Sequence, residues 1–310
     1  MSRLIAIVGP TAVGKSRLAI HLAQSLDGEI VSADSRQVYR YMDIGTAKPS
    51  PEERASAPHH LIDVVNPDEH FSLALYQQMA YRAIKDIEQR GKLALLVGGS
   101  GLYVRAVTGG LRIPQIPPDA ELRRSLEEKA AAGGYTAIYE ELEGIDPDAA
   151  QRIDPRNVRR VIRAIEVFRT TGLPFSQLQR FSPFFRTLVI GLTTERRELY
   201  RKIDSMVDHM MEQGLVQEVE GLLKRGYSLD LPSMSGLGYK QIGQYLRREL
   251  DLAEAVQRIK YKTHRFARHQ YAWFRLEDEA IHWFDIRNDI EEPIGRLIQG
   301  LVFEKTGLNR

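Results

Sequence analysis

Residues 4–16 read Leu-Ile-Ala-Ile-Val-Gly-Pro-Thr-Ala-Val-Gly-Lys-Ser, and the fold turns on them. Gly9-Pro-Thr-Ala-Val-Gly-Lys-Ser16 fits G-x-x-x-x-G-K-[ST], the pattern of a phosphate-binding loop. Leu4 to Val8 is a short unbroken apolar run, as expected of a strand buried on both faces. Ser16 to Leu26 places Leu18, Ala19, Leu22 and Leu26 at helical spacing. In a strand–loop–helix unit, the loop amides and the helix N-terminus converge on an anion. Gly9, Pro10, Thr11, Ala12, Val13, Gly14, Lys15 and Ser16 are therefore the expected phosphate cradle. Lys15 would add a full charge, and the Ser16 hydroxyl is a ligand type suited to Mg²⁺.

Outward from the loop, strand and helix patterns alternate. Glu29 to Asp34 is a second strand, Phe71 to Arg90 an amphipathic helix, and Lys92 to Val97 a third, buried strand ending at Gly98-Gly99-Ser100-Gly101. This order predicts an α/β fold: a P-loop NTPase-like parallel sheet with helices on both faces. Ile113-Pro-Gln-Ile-Pro-Pro118 marks a hinge or boundary. Asp119 to about Arg180 reads as nearly all helix, Arg186 to Leu192 as a strand returning to the sheet, and Ile281 to Ile286 as a last strand. The expected organisation is a core at 1–117, an inserted all-helical domain at 118–183 that clamps a partner, and the second part of the core at 184–310 with basic C-terminal helices.

The chain has 310 residues, a formal net charge of +2 and no Cys, which excludes a disulfide framework and any Cys-based zinc site. No leader pattern precedes Leu4, and no apolar run approaches the roughly 20 residues of a membrane helix. The expectation is a soluble, cytoplasmic protein that touches no membrane. The even net charge conceals a division. Residues 119–150 hold nine acids against three bases, whereas 151–180 hold seven Arg against Asp154 and Glu166.

Two acid positions bear on the chemistry. ATPases and GTPases carry an Mg²⁺-supporting acid at the end of a later buried strand. Here that strand ends in Gly98-Gly99-Ser100, which weakens nucleotide hydrolysis and leaves a kinase possible. Asp34 ends the second strand and should face the same crevice as the loop. It reads equally as a general base for a nucleophile or as a turn or capping Asp in Asp34-Ser-Arg-Gln37.

Gln257 to Arg275 holds six Lys/Arg, two His, five aromatics and no acid. Interleaved charges and rings suit nucleic acid, which offers phosphates and splayed bases. The same pattern fits an amphipathic helix with a ring-lined core. Arg156, Arg159, Arg160 and Arg163 form a second basic element, opposite Val158, Val161, Ile162, Ile165 and Phe168. Two separated basic elements favour a polyanion. His59-His60 points its rings to opposite sides of an extended segment, which favours structural or substrate-lining roles over a metal pair.

Together these stretches resemble a known family. Besides the loop, they are Ile30-Val-Ser-Ala-Asp-Ser-Arg-Gln-Val-Tyr39, Met42-Asp-Ile-Gly-Thr-Ala-Lys-Pro49, Pro58-His-His-Leu-Ile-Asp63, Val97-Gly-Gly-Ser-Gly-Leu-Tyr103, Arg163-Ala-Ile-Glu-Val-Phe168, Gly236-Leu-Gly-Tyr-Lys-Gln241 and Arg268-His-Gln-Tyr-Ala-Trp-Phe-Arg275. They are similar to those of the tRNA dimethylallyltransferases, bacterial type, and the likeness spans nearly the whole chain. The resemblance implies transfer of a dimethylallyl group from dimethylallyl diphosphate to N6 of the adenosine 3′ of the anticodon, with Mg²⁺. It implies Asp34, Thr11 and Lys15 as catalytic residues, and diphosphate held by residues 9–16 and Ser100. Against the tRNA anticodon stem-loop it sets Asp34, Ser35, Arg36, Gln37, Arg159, Arg160, Val161, Ile162, Arg163, Gly238, Tyr239, Lys240, Gln241, Arg268, His269, Gln270, Trp273 and Arg275. Ser100 stands where many members have Thr, and Ser235 where some have Arg. A monomer is expected. Two other readings stand beside this one: a small-molecule P-loop kinase, and an RNA-binding protein without chemistry.

Overall fold

The computed structural model describes residues 2–111, 113–114, 116–178 and 182–303. Arg180, counted with the basic half of the insertion, lies outside them. In chain order the core begins with β1 (Ser2–Val8), α1 (Lys15–Ser25), β2 (Gly28–Ser32), α2 (Pro51–Ser56), β3 (His59–His60), α3 (Leu73–Gln89), β4 (Leu93–Val97) and α4 (Gly101–Thr108). The helical segment holds α5 (Ala120–Gly133), α6 (Thr136–Ile145), α7 (Pro147–Ala150), α8 (Val158–Thr171) and α9 (Phe175–Leu178). The core resumes with β5 (Phe185–Thr193), α10 (Arg196–Glu212), α11 (Leu215–Lys224), a 3₁₀ turn (Ser233–Ser235), α12 (Tyr239–Leu246), α13 (Leu252–Trp273), β6 (Ile281–Asp285) and α14 (Glu291–Phe303).

The sheet order is β3-β2-β4-β1-β5-β6, and every pairing is parallel. Parallel strands must be covered on both faces, and the alternation along β1 shows how. Leu4, Ala6 and Val8 pack with Tyr76, Ala80, Ile84 and Ile87 of α3 and Tyr103, Val104 and Val107 of α4. Ile5 and Ile7 pack with Leu18 and Leu22 of α1, Leu199 and Ile203 of α10, and Ile294 and Ile298 of α14. A third cluster joins Val38 and Met42 to Val207, Leu215, Val219 and Ile242. No helix among the described residues is long and apolar enough to cross a membrane.

Most element boundaries fall within two residues of the sequence reading; β3, only two residues long, has no signature in the sequence. The insertion differs more. The chain divides into a core of 1–108 with 184–310 and a helical unit of 109–183, so the unit starts before the prolines. The reason lies at its two ends. Ser182 donates its N–H to the Gly110 carbonyl at 3.1 Å. A Cβ at Gly110 would sit 2.0 Å from the Ser182 carbonyl oxygen, at φ 59°, so this close approach demands glycine. Inside the unit, Leu126, Ile138, Leu142, Val161, Ile162 and Ile165 form a separate core.

Candidate active site

The phosphate loop joins β1 to α1. Gly9 has φ 138°, and a Cβ there would lie 2.4 Å from the Leu192 carbonyl oxygen. Ala12 at φ 63° and Gly14 at φ 94° take left-handed backbone, which curls the loop ahead of the helix. Lys15 is half-buried and donates from Nζ to the Pro10 carbonyl at 2.7 Å. Burial pulls its pKa down to about 8, while the nearby Asp34 carboxylate pulls upward. Thr11, Ala12, Gly14, Lys15 and Ser16 line a cavity of about 200 Å³ together with Asp34.

Asp34 is set two residues beyond β2, in a loop stitched to the end of β4. Ala33 donates its N–H to Val97 O at 2.7 Å, and Ser100 donates its N–H to Ala33 O at 3.2 Å. Gly98 is required here, because a Cβ would fall 2.2 Å from the Ala33 oxygen. The Asp34 Oδ1 accepts the Arg36 N–H at 2.8 Å, an Asx turn. So the two readings of Asp34 are compatible: one oxygen shapes the turn while the carboxylate lines the cavity.

The remaining walls separate by chemistry. Ala19, Ile30, Val97, Ala47, Pro49 and Met206 are apolar, whereas Ser32, Gln37, Thr46 and His59 are polar. His59 Nδ1 lies 2.7 Å from the Ala57 carbonyl, and burial holds the imidazole below its ordinary pKa, hence neutral at pH 7. His60 turns the other way to Glu29, at 2.7 Å. Sequence reasoning missed most of these walls, along with the groups that hold residues 42–49. Glu218 accepts the N–H groups of Asp43, Ile44 and Gly45 and the Tyr239 hydroxyl. The Lys48 side chain is 1% exposed and donates to Tyr39 O, Asp43 and Asp63. The Met42–Pro49 motif was a visible signal; its anchor Glu218, 175 residues from Asp43, carried none.

Several expected site residues are placed differently. Gly9 and Pro10 are not among the residues that line the cavity, and the Val13 side chain is buried in the core at 1% exposure. The Ser100 hydroxyl accepts the Ser35 N–H at 3.0 Å, so it braces the Asp34 loop and is absent from the cavity lining. Val161 and Ile162 are core residues of the helical unit, at 0% and 3% exposure. Arg163 donates to Glu166 at 2.5 Å and to the carbonyls of Pro114 and Ile116, so its charge serves the fold. Tyr239 and Gln241 are buried, the first on Glu218 and the second accepting the N–H of Gly238, which takes φ 85°. Gln270 is buried at 4% exposure, with both ends of its amide bonded inside the core. The resemblance placed Val161, Ile162, Arg163, Tyr239, Gln241 and Gln270 on RNA, yet their side chains are engaged within the fold.

Others stay available. Arg159 and Arg160 on α8 are exposed, as are Lys240, Arg268, His269 and Arg275 in the core. Arg268 and Arg196 both donate to the Tyr200 hydroxyl at 3.1 Å. Arg36 donates to Pro232 O, Ser233 O and Ser235 Oγ. Gln37 links Ser32 to the carbonyls of Thr46 and Ala47. Trp273 is 47% exposed, and its indole fills the space a side chain at Gly101 would need.

The family model described as IPP transferase matches residues 37–277. The chain is 58% identical over 276 residues to the tRNA dimethylallyltransferase of Roseiflexus castenholzii, covering 89% of this chain and 90% of that protein. It is 55% identical over 300 residues to that of Roseiflexus sp. (strain RS-1), covering 96% and 98%. Among solved structures, the tRNA isopentenylpyrophosphate transferase of Bacillus halodurans matches with a TM-score of 0.72 and 42% identity, over 97% of this chain and 96% of that one. A eukaryotic dimethylallyltransferase described as acting on tRNA matches with a TM-score of 0.80 and 27% identity, over 96% of this chain and 78% of that one. On this breadth of match, the chain belongs to the tRNA dimethylallyltransferase family.

Proposed function

We propose that this family member takes its allyl group from dimethylallyl diphosphate and delivers it to N6 of the adenosine 3′ of the anticodon. The observation that carries the reading is the shared cavity of Asp34, Lys15 and the α1 N-terminus. The loop and Lys15 suit departing negative charge, and the same cavity holds a carboxylate that can accept a proton. The Lys15 ammonium, the loop amides and the Ser16 hydroxyl would hold the diphosphate as the C1–O bond breaks. The N6 lone pair forms the new bond to C1, and the proton released from N6 passes to Asp34. The apolar walls Ala19, Ile30, Val97 and Met206 would enclose the five-carbon tail away from water. The target base must leave its stack to enter.

Mg²⁺ fits this donor set as a cation that arrives with the diphosphate. Among the described residues no group of three or more His, Cys, Asp or Glu could hold a metal by itself. Mg²⁺ commonly binds through one or two protein oxygens plus substrate phosphates, and the Ser16 hydroxyl supplies such an oxygen. When bound, it neutralises charge on the leaving group. Arg159, Arg160, Lys240, Arg268, His269 and Arg275 would meet the tRNA backbone, and Trp273 would stack on an unpaired base. The enzyme would work as a monomer in the cytoplasm.

The test incubates the protein with unmodified tRNA, Mg²⁺ and labelled dimethylallyl diphosphate. Label is expected at a single adenosine beside the anticodon. ATP consumption without label would support a kinase, and tRNA retention without label a binding protein.

A further inference from the structure

The strand-end acid of P-loop hydrolases has no counterpart in sequence here, and the space beside Gly99, at the end of β4, is filled. A Cβ added at Gly99 would lie 2.1 Å from Nε2 of Gln270. That side chain reaches in from α13, 171 residues away in sequence. Its Oε1 accepts the Thr11 N–H at 2.8 Å, and its Nε2 donates to the Gly99 carbonyl at 3.1 Å. One amide thus joins the phosphate loop to the end of β4.

We propose that Gln270 is a positioning residue that sets the phosphate loop for a diphosphate, its neutral amide bridging the loop to the glycine-ended strand β4, a strand that in other P-loop enzymes ends in an acid. The inference rests on the proposed donor. The chemistry requires a group that donates and accepts at once, because it bridges an N–H and a C=O. A carboxylate only accepts: it would face the Gly99 oxygen with no proton to give, and it would set negative charge beside the leaving group. Glycine at 99 follows, since any side chain there displaces the amide. The arrangement also explains why Gln270 interrupts the basic face of α13: its neighbours Arg268 and His269 are exposed, while it turns into the core.

The experiment compares wild type with Gln270→Met, Gln270→Glu and Gly99→Ala in the full chain. Affinity for inorganic diphosphate is measured by calorimetry, alongside KM for dimethylallyl diphosphate, kcat, tRNA Kd and melting temperature. Gln270→Met removes one buried bridge, so diphosphate Kd and KM should rise about tenfold. Gln270→Glu should lose more, and Gly99→Ala should reproduce the Gln270→Met change while leaving α13 intact. In each, tRNA Kd should stay within about twofold, the margin of a side chain that does not touch RNA. Unchanged diphosphate Kd in Gln270→Met overturns the proposal. So does weakened tRNA binding with unchanged diphosphate Kd, which would make Gln270 an RNA contact. A fall in kcat that tracks only the folded fraction, at constant KM, also overturns it. Wild type that binds inorganic diphosphate yet accepts no allyl diphosphate sinks the donor reading alone, because the diphosphate Kd of the variants still tests the loop.

Discussion

Asp34 in the core and Glu166 in the helical unit are both carboxylates flanked by arginine in sequence, and the structure uses them oppositely. Glu166 is 0% exposed and fully engaged, accepting from Arg123 through two nitrogens, from Arg163 and from the Asp119 N–H. Asp34 accepts one backbone N–H and otherwise faces a cavity. A buried acid with every lone pair satisfied has its protonation state fixed and serves the fold. An acid left with unused acceptor capacity beside an ammonium is available for chemistry. The difference teaches that an arginine near a carboxylate in sequence says nothing about which acid is spent. Arg36 gives Asp34 only its backbone N–H, while its guanidinium reaches to Pro232, Ser233 and Ser235.

The sharpest way to break the contrast is to remove each acid. Asp34→Ala should lower kcat about 10²- to 10⁴-fold, the range of a general base, with tRNA Kd nearly unchanged. Single-turnover transfer and filter binding would show it; full-speed transfer ends the role given to Asp34. Glu166→Ala should leave chemistry in the folded enzyme intact and cost the helical unit about 3 kcal/mol, because two arginines lose their partner. Hydrogen exchange in α5 and α8 would report the loss. Burial alone would raise the Glu166 pKa, but hydrogen bonds from Arg123, Arg163 and the Asp119 N–H outweigh it and hold the value below 4.5. Its folded value being depressed, the contribution is present above the unfolded value and fades as pH falls through the folded one. Amides of this unit should therefore lose protection in acid, and Glu166→Gln should remove that dependence.

Lys15 extends the comparison to the positive side of the cavity. Burial pulls its pKa down to about 8, inside the working range, so the ammonium gives up its proton as pH rises through about 8. Affinity for inorganic diphosphate should fall as pH rises through about 8, by up to about tenfold for the lost charge-assisted bond. Lys15→Met should bind weakly at every pH and lack that inflection, which separates the lysine from the ligand's own titration. An inflection that survives in Lys15→Met assigns the pH dependence to another group.

What the sequence made legible follows from the range of the interactions involved. The loop, the sheet class and Asp34 depend on neighbours a few residues apart, so periodicity and spacing reveal them. The β-strand of two residues at His59–His60 is too short to carry a pattern. Gln270, Glu218 and Ser100 were misread or missed because their partners lie far along the chain. Gln270 sits inside a basic aromatic segment and shares its register, yet only the fold turns it inward to Thr11. Val161 and Ile162 show the converse: their apolar chemistry already pointed to a core, and the motif around them pointed to RNA.

The smallest effects give the finest test of which arginines are spent. Arg160 and Arg163 lie on one helix, one exposed and one bonded to Glu166. Arg160→Ala should weaken tRNA binding modestly and reduce the slope of log Kd against log salt by about one, the signature of one lost phosphate contact. Arg163→Ala should leave that slope unchanged and lower the stability of the helical unit, because it exposes a buried carboxylate to partial solvation with one partner fewer. If the two substitutions change the slope equally, then the Glu166 pair opens when RNA binds, and the helical unit would be using its interior charges as the core uses Asp34. If neither changes it, α8 carries no phosphate contact at these positions, and the exposed face of α13 must hold the RNA backbone without them.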